Sequence, residues 1–89
     1  DTETNEQLSA HAERARELIR PFPGAVVEMH GPCLYLHWRA APDAAPPLSA
    51  LAEEIGDALP SHRLHRGAHG IEIRPVGVDK GVAIRRFMQ

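Results

Sequence analysis

Apolar residues recur at helical spacing near the start of the chain. They lie on one side of a helix at Leu8, Ala12, Ala15, Leu18 and Ile19. A Thr-x-x-Gln sequence from Thr4 is a capping box that can begin this helix, and the Pro-Phe-Pro-Gly sequence at 21–24 ends it. The pattern predicts one amphipathic helix whose apolar stripe can cover a sheet.

The next two segments alternate apolar and polar residues with the period of a strand. Residues 25–30 (AVVEMH) and 33–39 (CLYLHWR) are separated by Gly31-Pro32. Glycine can take the positive φ of a type II′ turn, and proline fits the position after it. These segments therefore predict a tight β-hairpin.

A second helix is predicted after an Ala/Pro-rich linker from Ala40 to Pro47. Its apolar positions are Leu48, Leu51, Ile55 and Leu59. Proline is accepted in the first turn of a helix, and Pro60 marks the end of this one.

Two further strands, 62–66 and 69–74, are predicted on either side of Gly67-Ala68, with glycine again at the first turn position. A last helical segment is predicted from about Asp79 to Met88. Because the α-β-β order occurs twice, we predict an α+β fold of two layers, αββαββ. A four-stranded antiparallel sheet would carry two helices on one face and leave a polar face open.

Counting residues outward from the two turns indicates which side chains share that open face. Glu28 is predicted to lie opposite Tyr35, and Arg63 opposite Glu72. The open face would carry Glu28, His30, Tyr35, His37, Arg39, Arg63, His65, Glu72 and Arg74. These donors, acceptors and one aromatic ring suit a hydroxyl-rich or phosphorylated ligand. The alternative is an ordinary solvated sheet face, with Arg63 and Glu72 as a cross-strand ion pair.

Composition narrows the classes of partner. The 89 residues suit one domain. The net charge is -2 and there is no Lys/Arg block, so the sequence does not predict a basic surface that would bind nucleic acid or an anionic membrane. No apolar run reaches the length of a membrane span. With one cysteine and no signal-peptide pattern at the first residues, we expect a cytoplasmic protein.

The sequence contains no complete catalytic or metal-binding motif. It lacks G-x-S-x-G, a phosphate loop, H-E-x-x-H and any D-x-D pair. The predicted register puts His65 on the open face but His62 and His69 on the other, so no metal site is predicted. Cys33 has no CxxC partner and is expected to be inert.

Two stretches taken together resemble a known family. They are FPGAVVEMHGPCLYLHWR, from Phe22, and GAHGIEIRPVGVDKGVAI, from Gly67. Both resemble the mobile cap of trehalose-6-phosphate phosphatases, in the haloacid dehalogenase superfamily. That cap has a P-G-x-x-x-E strand, a strand ending in His-aromatic-Arg, and a G-x-x-x-x-E-x-R-P strand followed by a Lys-Gly helix start.

The resemblance implies a role for the single lysine of the chain, Lys80. In such enzymes a lysine at this point pairs with the nucleophilic aspartate and the phosphoryl group, and a compact ammonium suits that point-charge role. The alternative is that Lys80 has no catalytic role and simply lies near a helix start, where the helix dipole slightly disfavours a positive charge.

The resemblance also implies a set of substrate-binding residues. Glu28 and Glu72 would accept hydrogen bonds from sugar hydroxyls. His37 and Arg39 match the His-aromatic-Arg piece, while Arg74 would brace a glutamate. His30 stands where the family commonly has Lys. The implied substrate-binding set is Glu28, His30, His37, Arg39, Glu72 and Arg74.

Phosphoryl transfer in the family resembles a two-step displacement by an aspartate of a D-x-D motif, assisted by Mg²⁺ on further acids of a core domain. None of those residues is in this chain. We therefore expect 1–78 to be a substrate-specificity cap and 79–89 to begin a helix returning to a catalytic core. The substrate implied is trehalose 6-phosphate, and the chain by itself should be inactive. The alternatives are a free-standing αββαββ module that binds a ligand or a protein without catalysis, and a purely structural role.

Overall fold

The computed structural model describes residues 2–76 of the chain. Its elements are α1 (Thr2–Leu18), β1 (Val26–His30), β2 (Cys33–His37), a short 3-10 helix (Pro42–Ala44), α2 (Ala45–Ala58), β3 (His62–Arg66) and β4 (Gly70–Pro75). This order confirms the predicted α+β, αββαββ arrangement. The predicted helix from Asp79 to Met88 lies outside the described residues.

The four strands form one antiparallel sheet in the order β1-β2-β4-β3. The two hairpins therefore meet in the middle of the sheet, where β2 pairs with β4. Both central strands carry side chains that the helices cover. The fully buried large side chains come from both layers: Leu8, Leu34, Leu36, Leu48, Ile55 and Ile73. None of the helices among residues 2–76 is both long enough and apolar enough to cross a membrane.

The start of α1 differs from the prediction. Thr4 lies inside the helix, because the chain is already helical from Thr2. An N-cap residue has non-helical backbone angles, so Thr4 is not the cap and the capping-box prediction is wrong.

The predicted linker from Ala40 to Pro47 is also wrong, because most of it is helical. Pro42–Ala44 forms a 3-10 turn that leads directly into α2. Proline is accepted there because the first turn of a helix needs no partner for its backbone N–H. Ala44 is fully buried, so the segment belongs to the core.

The first hairpin is confirmed residue by residue. Glu28 lies opposite Tyr35 and His30 opposite Cys33. Gly31 has a φ of 58°, which glycine adopts without the strain that a Cβ would bring.

The second hairpin has a different register from the predicted one. The Gly67 N–H donates to the Gly70 carbonyl at 2.9 Å, so Ala68 and His69 form the tip. Arg63 lies opposite Arg74, and Glu72 lies opposite His65. The predicted pairing of Arg63 with Glu72 is therefore wrong by two residues. Since side chains alternate with a period of two, this shift changes partners but keeps the side chains of β3 and β4 on their predicted faces.

Candidate functional site

Four side chains form one row across the open face of the sheet. Glu28 on β1 pairs with Tyr35 on β2, which pairs with Glu72 on β4, which pairs with His65 on β3. Neighbouring strands lie about 4.8 Å apart, so each member is within reach of the next. Tyr35 thus stands between two carboxylates, one strand away on either side.

Glu72 is the most constrained member of this row. Only 16% of its side chain is exposed, and Oε1 accepts a hydrogen bond from Arg74 Nε at 2.5 Å. Burial by itself raises the pKa of Glu72, but hydrogen bonds from Arg74 and from Tyr35 outweigh it and lower the pKa below its ordinary value. The hydrogen bond to Glu72 also raises the pKa of the Tyr35 phenol. Glu72 is therefore an oriented, ionised acceptor.

Three rings follow one another beside this carboxylate. The His30 ring meets Tyr35 edge-on, with centroids 4.9 Å apart, and the His37 ring lies nearly parallel to Tyr35, with centroids 6.0 Å apart. His30 Nε2 also lies 3.0 Å from Glu28 Oε2. The first hairpin thus supplies a strip of rings that ends at a second carboxylate.

An open depression of about 460 Å³ lies at the other end of the strip, next to the tip of the second hairpin. It is lined by Tyr35, His37, Arg39, His65, Arg66, Gly67, Ala68, His69, Gly70, Ile71 and Glu72. Gly70 lets β4 lie close to β2 here, because a Cβ there would lie 2.6 Å from the Leu36 carbonyl oxygen and 2.8 Å from His37 Nδ1. Arg66, at the edge, forms an ion pair with Glu53 of α2.

The structure brings six of the predicted site residues to this face. Glu28, His30, His37, Glu72 and Arg74 lie on it, and Arg39 lines the depression just beyond the end of β2. Lys80 lies outside the described residues.

Two predictions about the face are corrected. Arg63 does not pair with Glu72 but donates to the carbonyl oxygens of Pro60 and His62. His69 was expected on the helix-covered face, yet it is exposed and lines the depression. The cause is the true turn at Ala68-His69, which takes His69 out of the alternating pattern.

His65 and Tyr35, both predicted to lie on the open face, were not among the predicted ligand-binding residues. The predicted position of Tyr35 opposite Glu28 in the first hairpin could have identified it as a ligand-binding candidate. Its second partner, Glu72, becomes visible only when β2 pairs with β4.

No group of three His, Cys, Asp or Glu side chains among residues 2–76 could hold a metal ion. His62 is 4% exposed and its Nε2 finds no hydrogen-bond partner within that range, while its Nδ1 lies 3.2 Å from Ser61 Oγ. Burial lowers the pKa of His62 and raises the pKa of Cys33.

Fold and site together define an α+β domain that presents two carboxylates, several imidazoles and an aromatic ring on an uncovered sheet face. Residues 3–89 match the family model described as trehalose-phosphatase. The chain is 40% identical over 72 residues to the trehalose-6-phosphate phosphatase of Escherichia coli K12, covering 81% of this chain and 27% of that protein.

The solved structures that resemble this chain are also trehalose-6-phosphate phosphatases or a related protein. The C-terminal domain of Candida albicans trehalose-6-phosphate phosphatase matches with a TM-score of 0.72 at 25% identity, over 98% of this chain and 31% of that one. A trehalose-6-phosphate phosphatase related protein matches with a TM-score of 0.69 at 27% identity, over 94% of this chain and 38% of that one. The Aspergillus fumigatus enzyme shares the fold, with a TM-score of 0.72 at 20% identity over 100% of this chain and 34% of that one.

This chain belongs to the trehalose-phosphatase family. It spans between about a quarter and two fifths of the length of these relatives.

Proposed function

We propose that this chain is the substrate-recognition cap of a Mg²⁺-dependent trehalose-6-phosphate phosphatase, a phosphoric monoester hydrolase. The observation that carries the proposal is the row of Glu28, Tyr35 and Glu72 across the open sheet face, in a chain of this family. Two carboxylates separated by one aromatic residue suit a ligand with many hydroxyl groups, since ionised carboxylates accept hydrogen bonds and donate none.

The neighbours of each glutamate support this role. Arg74 and Tyr35 hold the Glu72 carboxylate ionised and limit its rotation, so it meets a sugar hydroxyl already oriented. His30 Nε2 lies 3.0 Å from Glu28 Oε2 and limits the rotation of that carboxylate. His37 and Arg39 lie on the other side of Tyr35 and offer donors to the ligand in the depression.

The catalytic part of the proposal concerns residues beyond this surface. Residues 1–78 would form the cap and 79–89 would begin a helix that returns to a separate catalytic core. Lys80 would supply a positive charge near the transferred phosphoryl group. Mg²⁺ would stabilise the same phosphoryl charge on acids of the core, and none of the residues 2–76 is assigned to it.

The partners proposed are therefore trehalose 6-phosphate and the core domain, in the cytoplasm. Nucleic acid and membranes are not proposed as partners, since a net charge of -2 without a basic block offers neither of them an attractive surface.

The test uses the complete polypeptide encoded by the gene and measures phosphate release from trehalose 6-phosphate. Glu72→Gln removes a charged acceptor that binds the sugar before and during the reaction, so we expect KM to rise about tenfold or more with little change in kcat. Lys80→Ala removes charge stabilisation of the transition state, so we expect kcat to fall about a hundredfold or more.

Glu17→Gln is the matched control. Glu17 is an exposed carboxylate on α1 that pairs with Arg20, on the helical layer behind the sheet. Wild-type kinetics are expected for this variant. If Glu72→Gln also shows wild-type kinetics, Glu72 does not recognise the substrate and the proposed cap function is wrong.

A further inference from the structure

Tyr35 is the one phenyl or indole ring that residues 2–76 present on the open face. Trp38 is 8% exposed and belongs to the core, and Phe22 packs against that core from its edge. Tyr35 itself is half-buried and lines the depression.

The ring of Tyr35 is held in place on several sides. Glu72 lies directly opposite it on β4, the His30 ring meets it edge-on and the His37 ring lies parallel to it at an interplanar angle of 11°. A surface tyrosine without such neighbours keeps its side-chain freedom and loses it on binding. The ring of Tyr35 has already lost much of that freedom before any ligand arrives.

The groups around the ring indicate the chemistry of its ligand. An aromatic face carries partial negative charge and attracts C–H groups, while the flanking carboxylates accept hydrogen bonds from hydroxyl groups. A pyranose ring combines these features, because it has a face of C–H groups and hydroxyls around its edge. A phosphate group alone has no C–H face and would not use this ring.

We infer that Tyr35 is a specificity-determining residue that stacks against a pyranose ring of the substrate while Glu28 and Glu72 accept its hydroxyl hydrogens. The inference rests on the proposed function, since it names a new contact to the same ligand. It also assigns the apolar part of recognition, which neither glutamate can supply.

The experiment uses the fact that Tyr35 is the only tyrosine of the chain. The 89-residue chain is prepared deuterated, with protonated tyrosine, and its tyrosine ring protons are saturated in an NMR experiment with trehalose 6-phosphate. We expect saturation to pass to the C–H protons of the sugar. Inorganic phosphate is the control for anion binding, and it should not shift the Tyr35 ring resonances.

Two variants separate the ring from its hydroxyl. Tyr35→Phe keeps the ring and should bind trehalose 6-phosphate within about threefold of wild type, whereas Tyr35→Leu keeps an apolar side chain without a ring and should bind about tenfold more weakly. Equal weakening in both variants would mean that Tyr35 acts only by positioning Glu72, which overturns stacking.

The inference and the proposed function can fail separately. If trehalose 6-phosphate shifts the amide resonances of Glu28 and Glu72 but receives no saturation from Tyr35, stacking is wrong and the cap function stands. If the ligand shifts none of these resonances, the recognition surface itself is wrong and the inference is lost with it.

Discussion

Arg74 Nε donates a hydrogen bond of 2.5 Å to Glu72 Oε1, two residues earlier on the same strand. Residues i and i+2 of a strand project from the same face, so the guanidinium reaches the carboxylate along its own strand. Burial disfavours the charged carboxylate, and the hydrogen bonds from Arg74 and Tyr35 reverse that effect. Glu72 can therefore be a charged acceptor on a partly covered surface.

Replacing Arg74 should raise the pKa of Glu72. In Arg74→Met the effect of burial remains while the largest favourable contribution to the ionised form is lost. An NMR titration of the Glu72 side-chain carboxyl carbon measures the change. Arg63→Met is the matched control, because Arg63 lies opposite Arg74 but donates to backbone carbonyls instead of to Glu72. An unchanged Glu72 pKa in Arg74→Met would contradict the assigned cause.

Stability should fall as the pH is lowered from neutral towards 5.5, because of His62. Its pKa is below the ordinary 6.5 through burial, so the folded state holds the neutral ring while the unfolded state takes up a proton. The contribution is therefore complete above pH 6.5 and is lost as the pH falls towards the folded pKa. Urea unfolding at several pH values measures it. Glu72 acts in a separate window, since its stabilisation is lost only below its ordinary pKa of 4.5.

His62→Leu should remove much of that loss of stability between pH 7 and 5.5. The buried site has no hydrogen-bond partner for Nε2 within residues 2–76, so an apolar side chain leaves no polar partner behind there. His69→Gln, at the exposed hairpin tip, is the control and should retain the wild-type pH dependence. Identical pH profiles for His62→Leu and wild type would show that another group is responsible.

Gly70→Ala should destabilise the fold by about 1–3 kcal/mol, because the added methyl group meets the backbone of β2. A Cβ at Gly70 lies 2.6 Å from the Leu36 carbonyl oxygen. At Gly67 the nearest contact is an ordinary 3.7 Å, so Gly67→Ala should change the free energy of unfolding by less than about 0.5 kcal/mol. Urea unfolding compares them, and equal effects would mean that close packing against β2 is not the constraint.

Leu48→Ala should cost about 2–5 kcal/mol of unfolding free energy, because it leaves a cavity between α2 and the sheet. Leu48 is fully buried, whereas Asp57 on the same helix is exposed. Asp57→Ala should stay within about 0.5 kcal/mol of wild type in urea unfolding. A small loss for Leu48→Ala would mean that α2 closes over the space.

Alternation and turn residues predicted the layers, the first hairpin and the side chains that share the open face. These features are local, because the period of a strand and the positive φ of Gly31 depend on neighbouring residues only. The same local reasoning failed for the second hairpin. Glycine at position 67 suggested a turn there, but the close contact of Gly70 with β2 and the hydrogen bond from Trp38 N–H to the His69 carbonyl hold the turn at Ala68-His69.

By itself, then, the sequence determined the αββαββ order, the face of each strand residue and the motifs by which the chain resembles its family. The tertiary structure decided which strands are neighbours, and so placed Tyr35 between Glu28 and Glu72 and opened the depression beside Gly70. The physical reason for this difference is that strand periodicity depends only on residues that are adjacent in the sequence. The pairing of β2 with β4 joins segments more than thirty residues apart, and the packing of whole layers selects it.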